Sequence, residues 1–211
     1  MTSREPLPET PRIAVFAKAP VAGAVKTRLA PLLGAEGAAR LHATLVRHAL
    51  ATAREAHPAV LQLWCSPDSS HPFFAQCAAR FSCELHAQQG ADLGARMAHT
   101  FAGHAPLILI GSDSPALRAS HLAQAWRALQ SLDAVFAPAE DGGYVLVGLA
   151  RPAPAVFGDI AWGAGDVMRE TRRRIVATGL DSVELETLWD VDRPEDYRRL
   201  EETGIPAQVQ A

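Results

Sequence analysis

Along this chain, short uninterrupted apolar runs alternate with longer stretches in which apolar residues recur every three or four positions. RIAVFA (12–17) predicts a buried strand. Residues 35 to 56 predict a helix, with Leu41, Leu45 and Ala49 on one face, Leu50 beside them, and Pro58 ending the pattern. AVLQLWC (59–65) predicts a second strand, residues 72 to 80 a helix, and CELHA (83–87) a weak strand. LGARMAHTFA (93–102) is helical, and PLILIGS (106–112) is the most strand-like run of all. A helix over 118–132 places Leu122, Trp126 and Leu129 at core spacing. Strands follow at 133–139 and 143–149, then a helix at 165–178, a strand at 182–188 and a last helix from 193 to 202. The alternation predicts an α/β fold in three layers, with a mostly parallel sheet covered on both faces. The pair at 133–149 has no helix between its members, which predicts a small antiparallel excursion there.

Length and composition fit one domain. The 211 residues suffice for a single α/β core, expected over 12–203, with tails at 1–11 and 204–211. The first segment, MTSREPLPETPR, lacks the apolar core of a signal peptide and reads as a loose tail. The formal net charge is −3, which argues against a nucleic-acid polymer as partner. No run approaches a membrane span. The three cysteines form no CxxC pair and the eight histidines no HxxxH pair. A disulfide framework and a cysteine or histidine zinc site are therefore not indicated, and reduced thiols in a cytoplasmic protein are expected.

In parallel sheets, ligands bind beyond the carboxyl ends of the strands. That rule selects four stretches. The first is FAKAPVAGAVKTRLAP (16–31), which gathers Lys18, Lys26, Thr27 and Arg28 around Gly23. It is not a P-loop, because no glycine directly precedes Lys26, and no GxGxxG occurs. A basic turn between strand and helix can still hold phosphates, or it can be a solvated loop. The second is LILIGSDSPAL (107–117), where Asp113 can hold Mg²⁺ or Mn²⁺ or can cap the following helix. The third is PAEDGGYVLVG (138–148), a hairpin turn that can also place Asp141, Gly142, Gly143 and Tyr144 against a substrate. The fourth is LWDVDRPED (188–196). Strand alternation would point Asp190 and Asp192 to the same face, as metal ligands, or Asp192 as a helix cap. In QQGADLGARM (88–97), Gln89, Gly90 and Asp92 can lie beside a base or ribose.

Taken in order, FAKAPVAGAVKTRLAP, QGADLGARM, LIGSDSPAL, EDGGYVLVGL, IAWG and LWDVDRPEDYRRL resemble the DUF2064 family over about residues 12–202. Its members are usually labelled glycosyltransferases associated with radical-SAM or selenium-domain proteins, or arsenosugar-type glycosyltransferases. The resemblance implies the GT-A fold of nucleotide-diphospho-sugar transferases. The turn with Lys18, Lys26, Arg28 and Leu29, Asp113 with Pro115, and DVDRPED are also similar to 2-phospho-lactate guanylyltransferases. That second resemblance implies that Lys18, Lys26 and Arg28 hold a triphosphate, and that Asp113 with Asp190 or Asp192 holds the cation. The sequence departs from those enzymes at DGGY, and from typical GT-A glycosyltransferases in carrying one aspartate in GSDSP rather than Asp-x-Asp.

The expectation is a metal-dependent transferase with a nucleotide-activated donor and a small-molecule acceptor. Sugar transfer from a nucleoside diphosphate sugar ranks first. Nucleotidyl transfer from a triphosphate is the alternative, and a non-catalytic nucleotide-binding module is the third reading. Lys26, Arg28 and Asp113 form the expected catalytic set, with Mg²⁺ or Mn²⁺ as cofactor. Tyr144 and Trp162 would shape the acceptor side.

Overall fold

The computed structural model describes residues 7–204, so the terminal segments 1–6 and 205–211 of the expected tails lie outside the described residues. Seven strands form one sheet: β1 (Arg12–Lys18), β2 (Val60–Ser66), β3 (Glu84–Ala87), β4 (Leu107–Ile110), β5 (Ala134–Pro138), β6 (Tyr144–Leu149) and β7 (Ser182–Glu184). Their spatial order is β3-β2-β1-β4-β6-β5-β7. All neighbours are parallel except at β6, which runs antiparallel to both β4 and β5. The antiparallel excursion is thus a single reversed strand inserted into the middle of the sheet.

Strand periodicity divides the core into two layers. On one face Ile13, Val15 and Ala17 pack with Val46 and Leu50 of α1 (Ala30–Glu55), Phe74 of α2 (Pro72–Phe81) and Leu122 and Leu129 of α4 (Ala119–Leu129). On the other, Ala14 and Phe16 meet Met97 and Phe101 of α3 (Leu93–His104) and Met168 and Ile175 of α5 (Val167–Thr178). The four residues of β4, LILI, are all buried because both faces are covered, which explains their unbroken apolar run. A third cluster joins Leu29, Leu41 and Leu45 to Trp189, Val191 and Leu200, the last on α6 (Pro194–Glu201). It fastens the basic turn and the carboxy-terminal motif to the same helix.

Two elements differ from their sequence expectation. Helical structure begins at Ala30, but Gly34 breaks it with φ 69 and ψ 165, leaving the long regular piece after it. The strand expected over 182–188 stops at Glu184 and returns only as one bridge, Ala139 to Leu188. The ladder lapses beside Pro138, which has no N–H to donate. Upstream of β1, Leu7 packs on the core and the Trp126 indole N–H donates to the Pro8 carbonyl at 3.2 Å.

The order reverses between β1 and β4: β2 and β3 lie on one side, later strands on the other. Such a switch point opens a crevice at the carboxyl ends of the strands. Because β6 is reversed, its beginning rather than its end reaches that edge, bringing the EDGG turn beside the tip of β4. Replacing fully buried Leu122 on α4 with alanine should cost about 2–5 kcal/mol of folding stability. Urea unfolding should show the lower midpoint with an unchanged slope.

Candidate active site

The turn after β1 is pinned at both ends. The Ala19 N–H donates to the Ser66 carbonyl at 2.8 Å, and Leu29 is fully buried. Between them Lys26 adopts left-handed backbone, φ 48 and ψ 39, ahead of the short 3-10 turn Thr27–Leu29. A non-glycine residue there carries roughly 1–2 kcal/mol of strain, so the surroundings must hold it in place. They do so through charge. The Lys26 ammonium lies 2.7 Å from Asp113 Oδ2, with only 5% of its side chain exposed. Two residues on, Arg28 pairs with the Asp192 carboxylate.

Asp113 sits just past β4, and its backbone ties a third segment to the site. Its carbonyl accepts from Val191 N at 2.9 Å, while the Ser114 hydroxyl donates to the Trp189 carbonyl at 2.7 Å. These two bonds carry the chain beyond β7 across the sheet edge and bring Asp190 to the cleft. Burial alone would raise the Asp113 carboxyl, but the Lys26 ammonium beside it outweighs burial and holds it well below the usual carboxylate range. His42 comes from α1 and is buried. Its Nε2 lies 3.0 Å from the Lys18 carbonyl, which can only accept, so the proton belongs on Nε2. Nδ1 has no hydrogen-bond partner and lies 3.8 Å from Asp113 Oδ1.

Two clefts meet at Asp113. The larger, about 660 Å³, is lined by Lys18, Lys26, Thr27, Arg28 and Arg96 opposite Asp92, Asp113 and Asp192, with His42 and Gln88. The smaller, about 310 Å³, is lined by Asp113, Asp141, Gly143, Tyr144, Trp162 and Asp190. Gly111 and Leu93 border both. Four cations converge on the first, and none of the residues lining the second is Lys, Arg or His. This charge division follows from the topology: the basic turn leaves β1, whereas the acidic groups come from the β5–β6 turn and the carboxy-terminal segment.

The fold brings some of the residues singled out in the sequence together and leaves others apart. Lys18, Lys26, Thr27, Arg28, Asp113 and Asp192 meet in one cleft, and Asp141, Gly143, Tyr144, Trp162 and Asp190 in the other. Gly23, Gln89, Gly90 and Gly142 line neither. Gly142 (φ 88) is a packing residue: a Cβ there would meet the Gly165 carbonyl oxygen at 2.0 Å. In place of Gln89 and Gly90, Gln88 and Arg96 face the larger cleft. Gln88 is held by the Trp64 carbonyl at 2.8 Å, and Arg96 bonds the Gly90 carbonyl at 3.2 Å and Ser66 Oγ at 3.3 Å. Asp92 caps α3 by accepting from Ala95 N at 2.8 Å.

Asp190 and Asp192 do not face the same way, because the chain between β7 and α6 is irregular and strand alternation does not apply to it. Neither Asp113 nor Asp192 is a helix cap. The α4 and α6 caps are Arg118 and Arg193, and Asp196 accepts from Arg193 N at 2.7 Å. The DGG stretch is a hairpin turn, with Asp141 Oδ1 accepting from Gly143 N at 2.8 Å, and it also lines the smaller cleft.

Burial, then the charges of Asp141 and Asp113, push the Asp190 carboxyl up to about 6, with Lys26 opposing. Converging carboxylates of this kind suit a divalent cation. Among the described residues no three His, Cys, Asp or Glu side chains are placed to hold one alone. Asp113 and Asp190 fit the pattern in which one or two carboxylates bind Mg²⁺ or Mn²⁺ and substrate phosphates complete the shell.

The sheet order, its reversed sixth strand and the cleft at the switch point define the three-layer GT-A fold of nucleotide-diphospho-sugar transferases. The profile of DUF2064, described as an uncharacterized protein conserved in bacteria, matches residues 49–164, and the chain belongs to this family. Among solved structures it is similar to a protein from Desulfovibrio desulfuricans G20 named provisionally as a nucleotide-diphospho-sugar transferase. The two share 34% identity at a TM-score of 0.82, over 92% of this chain and 87% of that one. A nucleotidyl transferase from Methanothermobacter thermautotroptrophicus is 13% identical at a TM-score of 0.66, over 95% and 100% of the two chains. A Mycobacterium tuberculosis H37Rv protein solved with manganese is 20% identical at 0.54, over 92% and 99%. These two share the fold. A comparison with curated proteins gives no match. No helix among the described residues is long and apolar enough to cross a membrane.

Two predictions follow from the smaller cleft. The raised Asp190 value means the folded protein binds this proton more tightly than the unfolded chain does. Without divalent cation, ionising Asp190 therefore destabilises the fold progressively as pH rises from about 4 to about 6. Asp190→Asn should be more stable than wild type at pH 7.5, by on the order of 1 kcal/mol after solvent screening. The gain should vanish near pH 4 in thermal melts. Separately, Trp64, Trp126 and Trp189 are buried and Trp162 is not. Fluorescence quenching should thus report on Trp162, with caesium favoured over iodide when each is referred to its quenching of free tryptophan at matched ionic strength.

Proposed function

We propose that this protein is a metal-dependent glycosyltransferase that moves a sugar from a nucleoside diphosphate donor to a hydroxyl of a small-molecule acceptor. The observation that carries this reading is the junction at Asp113 of a cationic cleft with a cation-free acidic one. The first suits a diphosphate, and the second suits a neutral polyhydroxylated group.

In this reading Lys18, Lys26, Arg28 and Arg96 hold the donor phosphates by charge-assisted hydrogen bonds. Asp113 and Asp190 hold Mg²⁺ or Mn²⁺, which when bound stabilises negative charge on the departing diphosphate. Asp192, already neutralised by Arg28, orients that guanidinium instead. The acceptor oxygen forms a bond to sugar C1 as the C1–O bond to phosphate breaks, and the electron pair leaves with the diphosphate. In this reading Asp141, which lines the smaller cleft, takes the acceptor's proton. Tyr144 and Trp162, 6.4 Å apart and nearly perpendicular, offer apolar faces to a sugar ring.

Nucleotidyl transfer from a triphosphate is the second reading, favoured by the four cations around the larger cleft and by the fold shared with a nucleotidyl transferase. Against it, a phosphate-bearing acceptor would meet three carboxylates and no Lys, Arg or His in the smaller cleft.

Incubation with Mn²⁺ separates the two. Slow release of free diphosphate from a nucleotide sugar without added acceptor supports sugar transfer, and pyrophosphate released from a triphosphate supports the second reading. Absence of nucleotide binding by calorimetry with either metal would sink both. Lys26→Ala should weaken nucleotide binding about 10- to 100-fold and reduce its salt dependence.

A further inference from the structure

Resting on this reading of the larger cleft, we infer that Lys26 occupies the cation position on Asp113, so that the divalent metal reaches Asp113 only together with the donor's phosphates. The geometry supplies the argument. Lys26 Nζ is 2.7 Å from Asp113 Oδ2, inside the shell a metal would need, and the lysine side chain is 5% exposed. A divalent ion on the same carboxylate would stand beside a buried ammonium, and the repulsion would act where water screens it poorly. The other oxygen, Oδ1, faces buried His42 Nδ1 across 3.8 Å. That span is too long for a direct hydrogen bond and leaves Nδ1 without a partner. A water donating to Nδ1 would fill that span, so the unsatisfied nitrogen marks room for a polar group beside Asp113, whose other oxygen is the one Lys26 holds.

Diphosphate changes the balance. Its oxygens line up with the turn that carries Lys26 and Arg28, and they offer the ammonium a partner at least as good as the carboxylate. Once Lys26 turns to phosphate, Asp113 regains an acceptor oxygen and is left close to Asp190 and Asp141, a set that then demands positive charge. Metal and lysine thus exchange places on one oxygen. The left-handed backbone at Lys26 fits this role, since the side chain points inward from a turn in which Ala24, Thr27 and Arg28 are exposed. No covalent step is involved: each binding event replaces one charge pair by another.

Equilibrium dialysis against Mn²⁺, with and without inorganic pyrophosphate, tests the exchange without needing the true donor. Wild-type protein should retain little Mn²⁺ alone and at least tenfold more with pyrophosphate. Lys26→Met should bind Mn²⁺ alone at least tenfold more tightly than wild type, and adding Asp113→Asn should abolish that gain. Lys26→Gln is the second variant should the methionine fail to fold by circular dichroism. The inference is overturned if wild type binds Mn²⁺ alone as tightly as the Lys26 variants, or if folded variants of both kinds bind none. If the variants gain Mn²⁺ while wild type ignores pyrophosphate, the occlusion stands and the phosphate reading of the cleft fails.

Discussion

The ion pair between Lys26 and Asp113 is the contact on which the rest of this site depends. It joins the turn after the first strand to the tip of the fourth, across the point where the sheet order reverses. One partner lies on a strained backbone residue that would not keep its conformation alone, and the other carries the carboxy-terminal segment on its carbonyl. Charge holds the turn inward, and two backbone-directed hydrogen bonds hold the acidic segment against it. The outcome is a boundary between a cleft lined by four Lys and Arg side chains and one lined by carboxylates without any, with one carboxylate shared.

That boundary gives the chemistry its direction. Phosphates belong where lysine and arginine converge, and the group to be moved belongs where carboxylates and aromatic rings do. In the proposed reading a net-acidic protein holds an anionic donor because four of its cations, Lys18, Lys26, Arg28 and Arg96, line one cleft. The reversed sixth strand matters as much as any side chain. Had it run parallel, the EDGG turn would lie at the far edge of the sheet, and the smaller cleft would lose Asp141, Gly143 and Tyr144.

Much of this was legible in the sequence. The unbroken apolar LILI run announces a strand covered on both faces, and the absence of a helix between 139 and 143 announces the reversal. The motifs that strand ends should carry do meet at one edge. What stayed hidden depends on long-range pairing. Arg28 and Asp192 are 164 residues apart in the chain, so their ion pair has no local signature. His42 sits on the apolar face of α1 and looks like an ordinary core position. Arg96 lies within a recognised stretch, yet only the start of α3 shows that it faces inward while Gln89 and Gly90 do not. The shared face expected of Asp190 and Asp192 failed because alternation holds only inside a strand, and the ladder had already lapsed at Pro138.

The proposed chemistry turns on where the phosphates and the cation lie relative to Asp113. The most direct measurement is a crystal structure with a nucleoside diphosphate and Mn²⁺, using anomalous scattering to place the metal. A manganese peak within about 2.2 Å of an Asp113 oxygen, with phosphate density between it and Lys26, is the predicted result. Nucleotide bound away from the β1 turn, or manganese remote from Asp113, would contradict the account.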